Sequence, residues 1–216
     1  MSPRPAIHHP VFARLYARLS PGSEHRGSGA HRRELLAGLN GRIIEVGCGN
    51  GLNFAHYPPE VTEVIAVEPE PYLRHVAQRR TANATVKVTV VDGRAEHLPA
   101  TDGAFDAAVT SLVLCSVDDV LAALSEIRRT LRPGGQLRFY EHVRSTAVRH
   151  ATLQRVLAPA WQQLGGGCHP DRDTERYITR SGFEIEQTRR FDFCPGPRIP
   201  LGLVSPHILG QAIRTP

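Results

Sequence analysis

Apolar residues recur along this chain in two alternating periods. Ile43-Ile44-Glu45-Val46 is apolar apart from one acid, and Val64 to Val67, Val86 to Val91, Phe105 to Ser111 and Gln136 to Tyr140 repeat the theme. Short runs of this kind, bounded by turn residues, predict buried strands. Elsewhere the spacing widens to three and four. Val11, Phe12, Leu15, Tyr16 and Leu19 share a helix face, which Pro21-Gly22-Ser23 is expected to stop. Leu35, Leu36 and Leu39 share another, entered at Ser28-Gly29 and ended at Asn40-Gly41. Pro71 opens a helix running to about Arg80, and Asp118-Asp119 opens one through Leu121, Leu124, Ile127 and Leu131, ended by Pro133-Gly134-Gly135. Residues 151 to 164 are amphipathic, and Asp173 caps a helix to Ser181-Gly182. Phe183 to Phe191 and Pro206 to Ile213 read as two last strands joined by a Pro-rich segment, 195 to 206. Strands alternating with helices predict an α/β domain.

The first strand breaks into Gly47-Cys48-Gly49-Asn50-Gly51. Glycine lets the backbone bend sharply and a ligand lie against it. Leu52 stands where a dinucleotide fingerprint has its third glycine, and no Lys-Ser or Lys-Thr follows, so this is not a phosphate-cradling loop. Glu45 stands where it can pair with a cation just past the strand end. Glu68-Pro69 closes the second strand about 20 residues past the turn, where a carboxylate can accept from both hydroxyls of a ribose. Turn and acid together point to a nucleoside ligand without a pyrophosphate. The plain alternatives are a Gly-rich turn of any α/β domain and a solvated acid at a strand tip.

Glu45-Val46-Gly47-Cys48-Gly49-Asn50-Gly51, then Glu68-Pro69, then Leu131-Arg132-Pro133-Gly134-Gly135, resemble in order the motifs of the class I S-adenosylmethionine-dependent methyltransferases. The resemblance implies a Rossmann-like α/β fold. Its seven-stranded, mostly parallel sheet has the order 3-2-1-4-5-7-6, with the last strand antiparallel and helices on both faces. It implies S-adenosyl-L-methionine as cofactor. The implied cofactor contacts are Glu45, Val46, Gly47, Cys48, Gly49, Gly51 and Asn53 around the turn and Glu68 and Pro69 at the ribose. Gly93, Arg94, Ala95 and Glu96 follow along the adenine, and Ser111, Leu112 and Cys115 at the cofactor's edge. Arg94 stands where the family has an acid. Adenine N6 is a donor, so its acceptor falls to Glu96 or a backbone carbonyl. Residues 1–40 become an N-terminal helical cap segment on a methyltransferase domain spanning 41–216, with Tyr16 either a lid residue or plain packing.

The second half sharpens the resemblance. Leu153-Gln154-x-Val156-Leu157-x-Pro159-x-Trp161, Gly167-Cys168 and Thr174, with Ser111 to Val117, Glu141-His142-Val143 and Pro206-His207-Ile208, resemble the alkyl-thiol S-methyltransferases of vertebrate endoplasmic reticulum and lipid droplets. Those relatives carry a hydrophobic N-terminal anchor. This chain has Met1 to Ala6 and a polar helix, which implies a soluble bacterial relative. The implied partner is a small-molecule acceptor, a thiol, whose ordinary pKa of about 8.5 leaves little activation to supply. His142 and Glu141, at the tip of the fifth strand, are the candidate catalytic residues. Tyr16, Trp161, His169 and His207 are candidate acceptor-site residues, and Phe183, Phe191 and Phe193 are either further walls or core. The other readings are O-, N- or C-methylation of a quinone-like natural product, and a nucleoside-binding module without transfer.

Composition narrows this only at the edges. The net charge is +5, but the arginines are scattered in pairs such as Arg32-Arg33 and Arg189-Arg190, so no nucleic-acid partner is expected. No stretch nears the ~18 unbroken apolar residues of a membrane span. His8, His9 and Pro10 stand where an export signal would be apolar, so a cytoplasmic protein is expected. Cys48, Cys115, Cys168 and Cys194 form no Cys-x-x-Cys pair, so neither a zinc site nor a disulfide framework is expected. Oligomeric state is not indicated.

Overall fold

A computed structural model describes residues 10–194 and 202–216. The expectations for residues 1–9 and for 195–201 of the Pro-rich connection lie outside these. Seven strands, β1 (Gly41–Val46), β2 (Val61–Val67), β3 (Val88–Val91), β4 (Phe105–Ser111), β5 (Leu131–His142), β6 (Phe183–Asp192) and β7 (Pro206–Arg214), form one sheet. Their order is β3-β2-β1-β4-β5-β7-β6. β1 to β5 pair in parallel, and β7 runs antiparallel to both β5 and β6. The expected order and the antiparallel last strand both hold.

Successive strand residues face opposite sides, so a strand buried on both faces must be apolar throughout. Ile44 packs with Leu124 and Ile127 of α4 (Val120–Thr130) and Ile178 of α6 (Thr174–Arg180). Ile43 packs on the other face with Leu35 and Leu36 of α2 (Gly29–Leu36) and Ala77 of α3 (Pro71–Arg80). In register, Val46 lies beside Val67 and Thr110, and Thr110 beside Phe139. The carboxyl ends of β1, β2, β4 and β5 therefore open on one rim, carrying Gly47, Glu68, Leu112 and Glu141.

Several local expectations are corrected. Pro21 lies inside α1 (Pro10–Ser23) rather than stopping it. A wide π-helical turn, Glu24–Ser28, carries the chain onward, and the direction breaks at Gly27, φ 118°, a conformation open to glycine. After the glycine turn comes a short 3-10 helix, Phe54–His56, which overturns no expectation. Leu131 already pairs with Phe105 and pairing resumes at Ala107 and Gln136, so Arg132 to Gly135 bulge from the start of β5. α5 (Val148–Leu164) begins before residue 151 and runs past Pro159. Among the described residues no helix is long and apolar enough to cross a membrane.

Candidate active site

The glycine turn is tied down at both ends. Gly47 and Cys48 donate their backbone N–H groups to Val67 O at 2.8 and 3.0 Å, and Gly51 donates to Cys48 O at 2.9 Å. Gly47 and Gly49 have φ of 68° and 56°. A Cβ on Gly47 would lie 2.6 Å from Val113 Cγ2, and one on Gly49 would meet the Tyr16 ring at 3.5 Å. α1 therefore lies across the turn with Tyr16 facing it. Glu68 is buried, with Oε2 accepting from Gly49 N at 2.7 Å and Oε1 from Glu70 N at 2.9 Å. Each oxygen keeps lone-pair capacity for a further donor. Burial pushes Glu68 up to about 7, against the pull of those two amides. Arg74 steadies the tip by donating to the carbonyls of Glu68 and Pro69 at 2.8 and 3.0 Å.

Glu45 is buried and accepts from Asn53 Nδ2 and Tyr57 OH, both at 2.8 Å. Burial pushes it up to about 7. The cation expected at Glu45 is reached through Asn53 rather than by a direct pair. Arg32 Nη1 donates to Asn53 Oδ1 at 2.8 Å and to Ser111 Oγ at 3.1 Å, while Arg32 Nε donates to Glu24 Oε1 at 2.9 Å. Arg32 is itself buried, so the scattered-surface reading of this arginine is corrected. The signal was its spacing: Arg32 stands at the helical repeat of Leu35, Leu36 and Leu39, the buried face. Tyr57 carried no such signal.

In the segment expected beside adenine, a Cβ on Gly93 would collide with Pro99 Cδ at 2.8 Å and Val67 Cγ1 at 2.9 Å. Ala95 and Glu96 are buried. Arg94 turns toward acids: its Nη2 lies 3.4 Å from Asp118 Oδ2 and its Nε 3.5 Å from Glu96 Oε2.

The other half of the rim is the loop after β4. Leu112, φ 62°, is the one non-glycine residue with positive φ among those described, and its N–H donates to Tyr140 O at 2.7 Å. Such strain persists where surrounding contacts over-determine it. Glu141, expected as a candidate base, is instead fully buried behind this loop. It accepts from Val113 N at 3.2 Å and Cys115 N at 3.1 Å, and burial raises its pKa. Arg172 Nη1 donates to the carbonyls of Leu114 and Val117, and His169 N donates to Cys115 O at 2.7 Å. A Cβ on Gly167 would lie 2.9 Å from Ser116 O, so the glycine lets the turn after α5 press on the loop.

That pressure delivers Cys168 to Cys115. His142 Nδ1 lies 3.6 Å from Cys115 Sγ and 3.5 Å from Cys168 Sγ. The Cys115 hydrogen bond, then His142, holds the Cys168 thiol well below its ordinary value despite burial; Cys115 is pushed up. Trp161 packs against the cysteine pair, its indole N–H helping to hold the Cys168 thiol low. His207 is buried, with Nδ1 2.7 Å from Ser205 O and its ring 4.6 Å from that of His142. Burial lowers it to about 3, so the ring is neutral. The His169 side chain is taken by Gln162 Nε2 at 2.9 Å. Phe191 and Phe193 stack around His31 and His207, whereas Phe183 lies in the core with Ile127 and Ile178.

Comparison with known proteins bears on this rim. A family model described as a methyltransferase domain matches residues 44–139. The human thiol S-methyltransferase TMT1B is 35% identical over 218 residues, covering 94% of this chain and 86% of the relative. Human TMT1A, also a thiol S-methyltransferase, is 35% identical over 83% of this chain and 74% of its own. Among solved structures, a methyltransferase-like protein of Bacillus halodurans superposes with a TM-score of 0.70 at 18% identity, covering 87% of this chain and 98% of its own. A geranyl diphosphate methyltransferase bound to GPP and sinefungin does so at 0.68 and 15% identity, covering 88% and 79%. The glycine turn beside the Glu68 carboxylate, which has spare lone pairs, suits the adenosyl group that such a family binds. The chain belongs to the S-adenosylmethionine-dependent methyltransferases, with curated thiol S-methyltransferases among its relatives.

Proposed function

We propose that this methyltransferase uses the sulfur of a small-molecule thiol as its acceptor. The thiol S-methyltransferase relatives support that class. The observation that carries it is a shared wall: Val113 packs so closely over Gly47 that a Cβ there would lie 2.6 Å away. Val113 stands two residues before Cys115, so the nucleoside cradle and the sulfur-lined end of the rim adjoin. S-adenosyl-L-methionine, when bound, supplies a methyl group already activated on a sulfonium sulfur.

The residues do the rest by holding and aligning. Gly47, Cys48, Gly49 and Gly51 offer the backbone of the turn, with Val46 and Asn53 behind it. Glu68, with Pro69, receives the ribose hydroxyls on its two spare lone pairs. Gly93 to Glu96 flank the base. Tyr16 closes over the turn, and the segment to residue 40 acts as a cap held by Arg32. Ser111, Leu112 and Cys115 border the cofactor's edge, and Trp161 walls the acceptor side with His142 and His207. Glu141 acts as the anchor of the 112–115 loop. Alignment of this kind lowers a barrier by up to about 7–11 kcal/mol. The three buried, unpaired thiols of Cys48, Cys115 and Cys168 suit a reducing compartment such as the cytoplasm.

The test offers S-adenosyl-L-methionine with an aliphatic thiol and, separately, with phenols, and reads products by mass spectrometry. A thioether is expected. Methylated phenol with no thioether would sink the thiol reading.

A further inference from the structure

Cys115, His142 and Cys168 come from three elements, the loop after β4, the tip of β5 and the turn after α5. They are 27 and 26 residues from His142 along the chain, a spacing that carries no metal motif. The fold nonetheless gathers Cys115 Sγ, His142 Nδ1 and Cys168 Sγ within 4.8 Å of one another. The two sulfur–nitrogen separations are 3.6 and 3.5 Å. In a tetrahedral site with zinc–sulfur bonds of about 2.3 Å and a zinc–nitrogen bond of about 2.0 Å, that edge is also about 3.5 Å.

Each thiol has a hydrogen-bond partner besides His142, Cys115 at Ser116 Oγ 3.6 Å away and Cys168 at Cys115, so it is the gathering of three ligand atoms, not an unmet hydrogen bond, that suits an ion. A ring nitrogen has one lone pair or one proton, so Nδ1 serves one sulfur at a time. A cation at the centre gives all three atoms one bond each. Two sulfurs and an imidazole are soft donors, which select zinc over magnesium or calcium. Among the described residues no fourth Cys, His, Asp or Glu joins them, and three protein ligands are the mark of a site with an open position. Trp161 borders the cluster, its indole N–H turned to the Cys168 sulfur.

We propose that Cys115 Sγ, His142 Nδ1 and Cys168 Sγ hold a zinc-class divalent ion, and that its fourth position takes the acceptor's sulfur as a thiolate. The second part rests on the thiol-acceptor reading above; the first does not. On entry the acceptor's S–H bond breaks, the electron pair stays on sulfur and forms the bond to the ion, and the proton leaves to solvent. Nothing is oxidised or reduced. His142 is then a ligand, not a general base, because its Nδ1 lone pair is committed to the ion.

The experiment uses the full chain. Metal analysis of protein purified without chelator is expected to find about one zinc per chain, lost in Cys168→Ser and in His142→Ala. Unchanged affinity of those variants for S-adenosylhomocysteine serves as the check on folding. Cobalt exchanged into the wild-type protein should give a thiolate-to-metal charge-transfer band and tetrahedral d–d bands, and an aliphatic thiol added without cofactor should shift the latter. Folded wild-type protein that retains no zinc and gives no cobalt–thiolate band overturns the site, as does Cys168→Ser with full zinc. Cobalt bands unmoved by thiol overturn the fourth-position assignment. A thiol that shifts the bands yet yields no thioether sinks the proposed activity and leaves the metal site standing.

Discussion

Glu68 accepts the backbone N–H of Gly49 at 2.7 Å, so the tip of β2 holds the glycine turn of β1 from the side. The carboxylate is buried, and burial pushes it up to about 7. Its folded pKa thus lies above the ordinary carboxylate value of about 4.3. The sign follows: its contribution to stability is full below the unfolded pKa and is lost as pH rises through about 7. Hydroxyl donors on a bound nucleoside favour the ionised form, so binding releases a proton in this range. Affinity for S-adenosylhomocysteine, read by calorimetry, should tighten between about pH 6 and about pH 8 and then level. Glu68→Gln should flatten that profile and weaken binding roughly tenfold or more. An unaltered pH slope in the variant would show that another group titrates.

Gly47 tests the shared wall. Alanine there must adopt φ 68° and press on Val113 at 2.6 Å. The expected cost is about 1–3 kcal/mol of stability, with weaker cofactor binding. Adding Val113→Ala should return part of the loss, since it relieves the collision but not the backbone strain. Complete rescue would assign the whole effect to the collision, and no rescue would assign it to φ. Denaturant midpoints of the three proteins decide.

What could be read before folding was local. The glycine turn and Glu68 each lie at the end of an apolar run, so their chemistry is written within a few neighbouring residues. Asp173, accepting from Arg176 N at 3.4 Å, was visible as a cap for the same reason, and Asp119, read as an acid opening its helix, proves to be the cap itself, accepting from Ala122 N at 3.0 Å. The strand order came from the family resemblance. Arg32 was hidden because composition counts a charge without saying which way its helix faces. Pro21 was misleading because α1 runs through it to Ser23 and a π-helical turn carries the chain on from there. Glu141 and the Cys115–His142–Cys168 group depend on which strand tips adjoin and on a glycine turn pressed against a loop, which no short window of sequence contains.

Gln154 is the clearest structural dependency outside the rim. Its Nε2 faces the carbonyls of Val143, Pro170 and Leu203 at 3.1, 2.8 and 3.0 Å, and its Oε1 accepts from Ser145 N at 2.7 Å. One fully buried amide thus joins the exit of β5, the turn after α5 and the approach to β7. Gln154→Leu keeps the volume but strands those backbone groups, each costing about 1–3 kcal/mol when buried unpaired. A loss of about 3 kcal/mol is expected in denaturant unfolding, with an unchanged slope. A loss within about 0.5 kcal/mol would mean that water replaces the amide.

Arg32 fixes the cap, and its removal separates capping from cradle. The guanidinium spans Glu24, Asn53 and Ser111 at 2.9, 2.8 and 3.1 Å, joining the π-helical turn to the glycine turn and the end of β4. Arg32→Met leaves Glu24 without that partner and removes the cation that lowers Glu45. Cleavage in the Glu24–Ser28 segment under limited proteolysis should become faster, and cofactor affinity should fall roughly tenfold. Arg32→Lys should rescue little, because a single ammonium cannot reproduce the guanidinium's planar fork across three partners. If proteolysis accelerates while affinity holds, the segment is fastened by Arg32 but does not cover the cofactor. If affinity falls with proteolysis unchanged, Arg32 acts on the ligand or through Asn53 and Glu45 rather than through the cap.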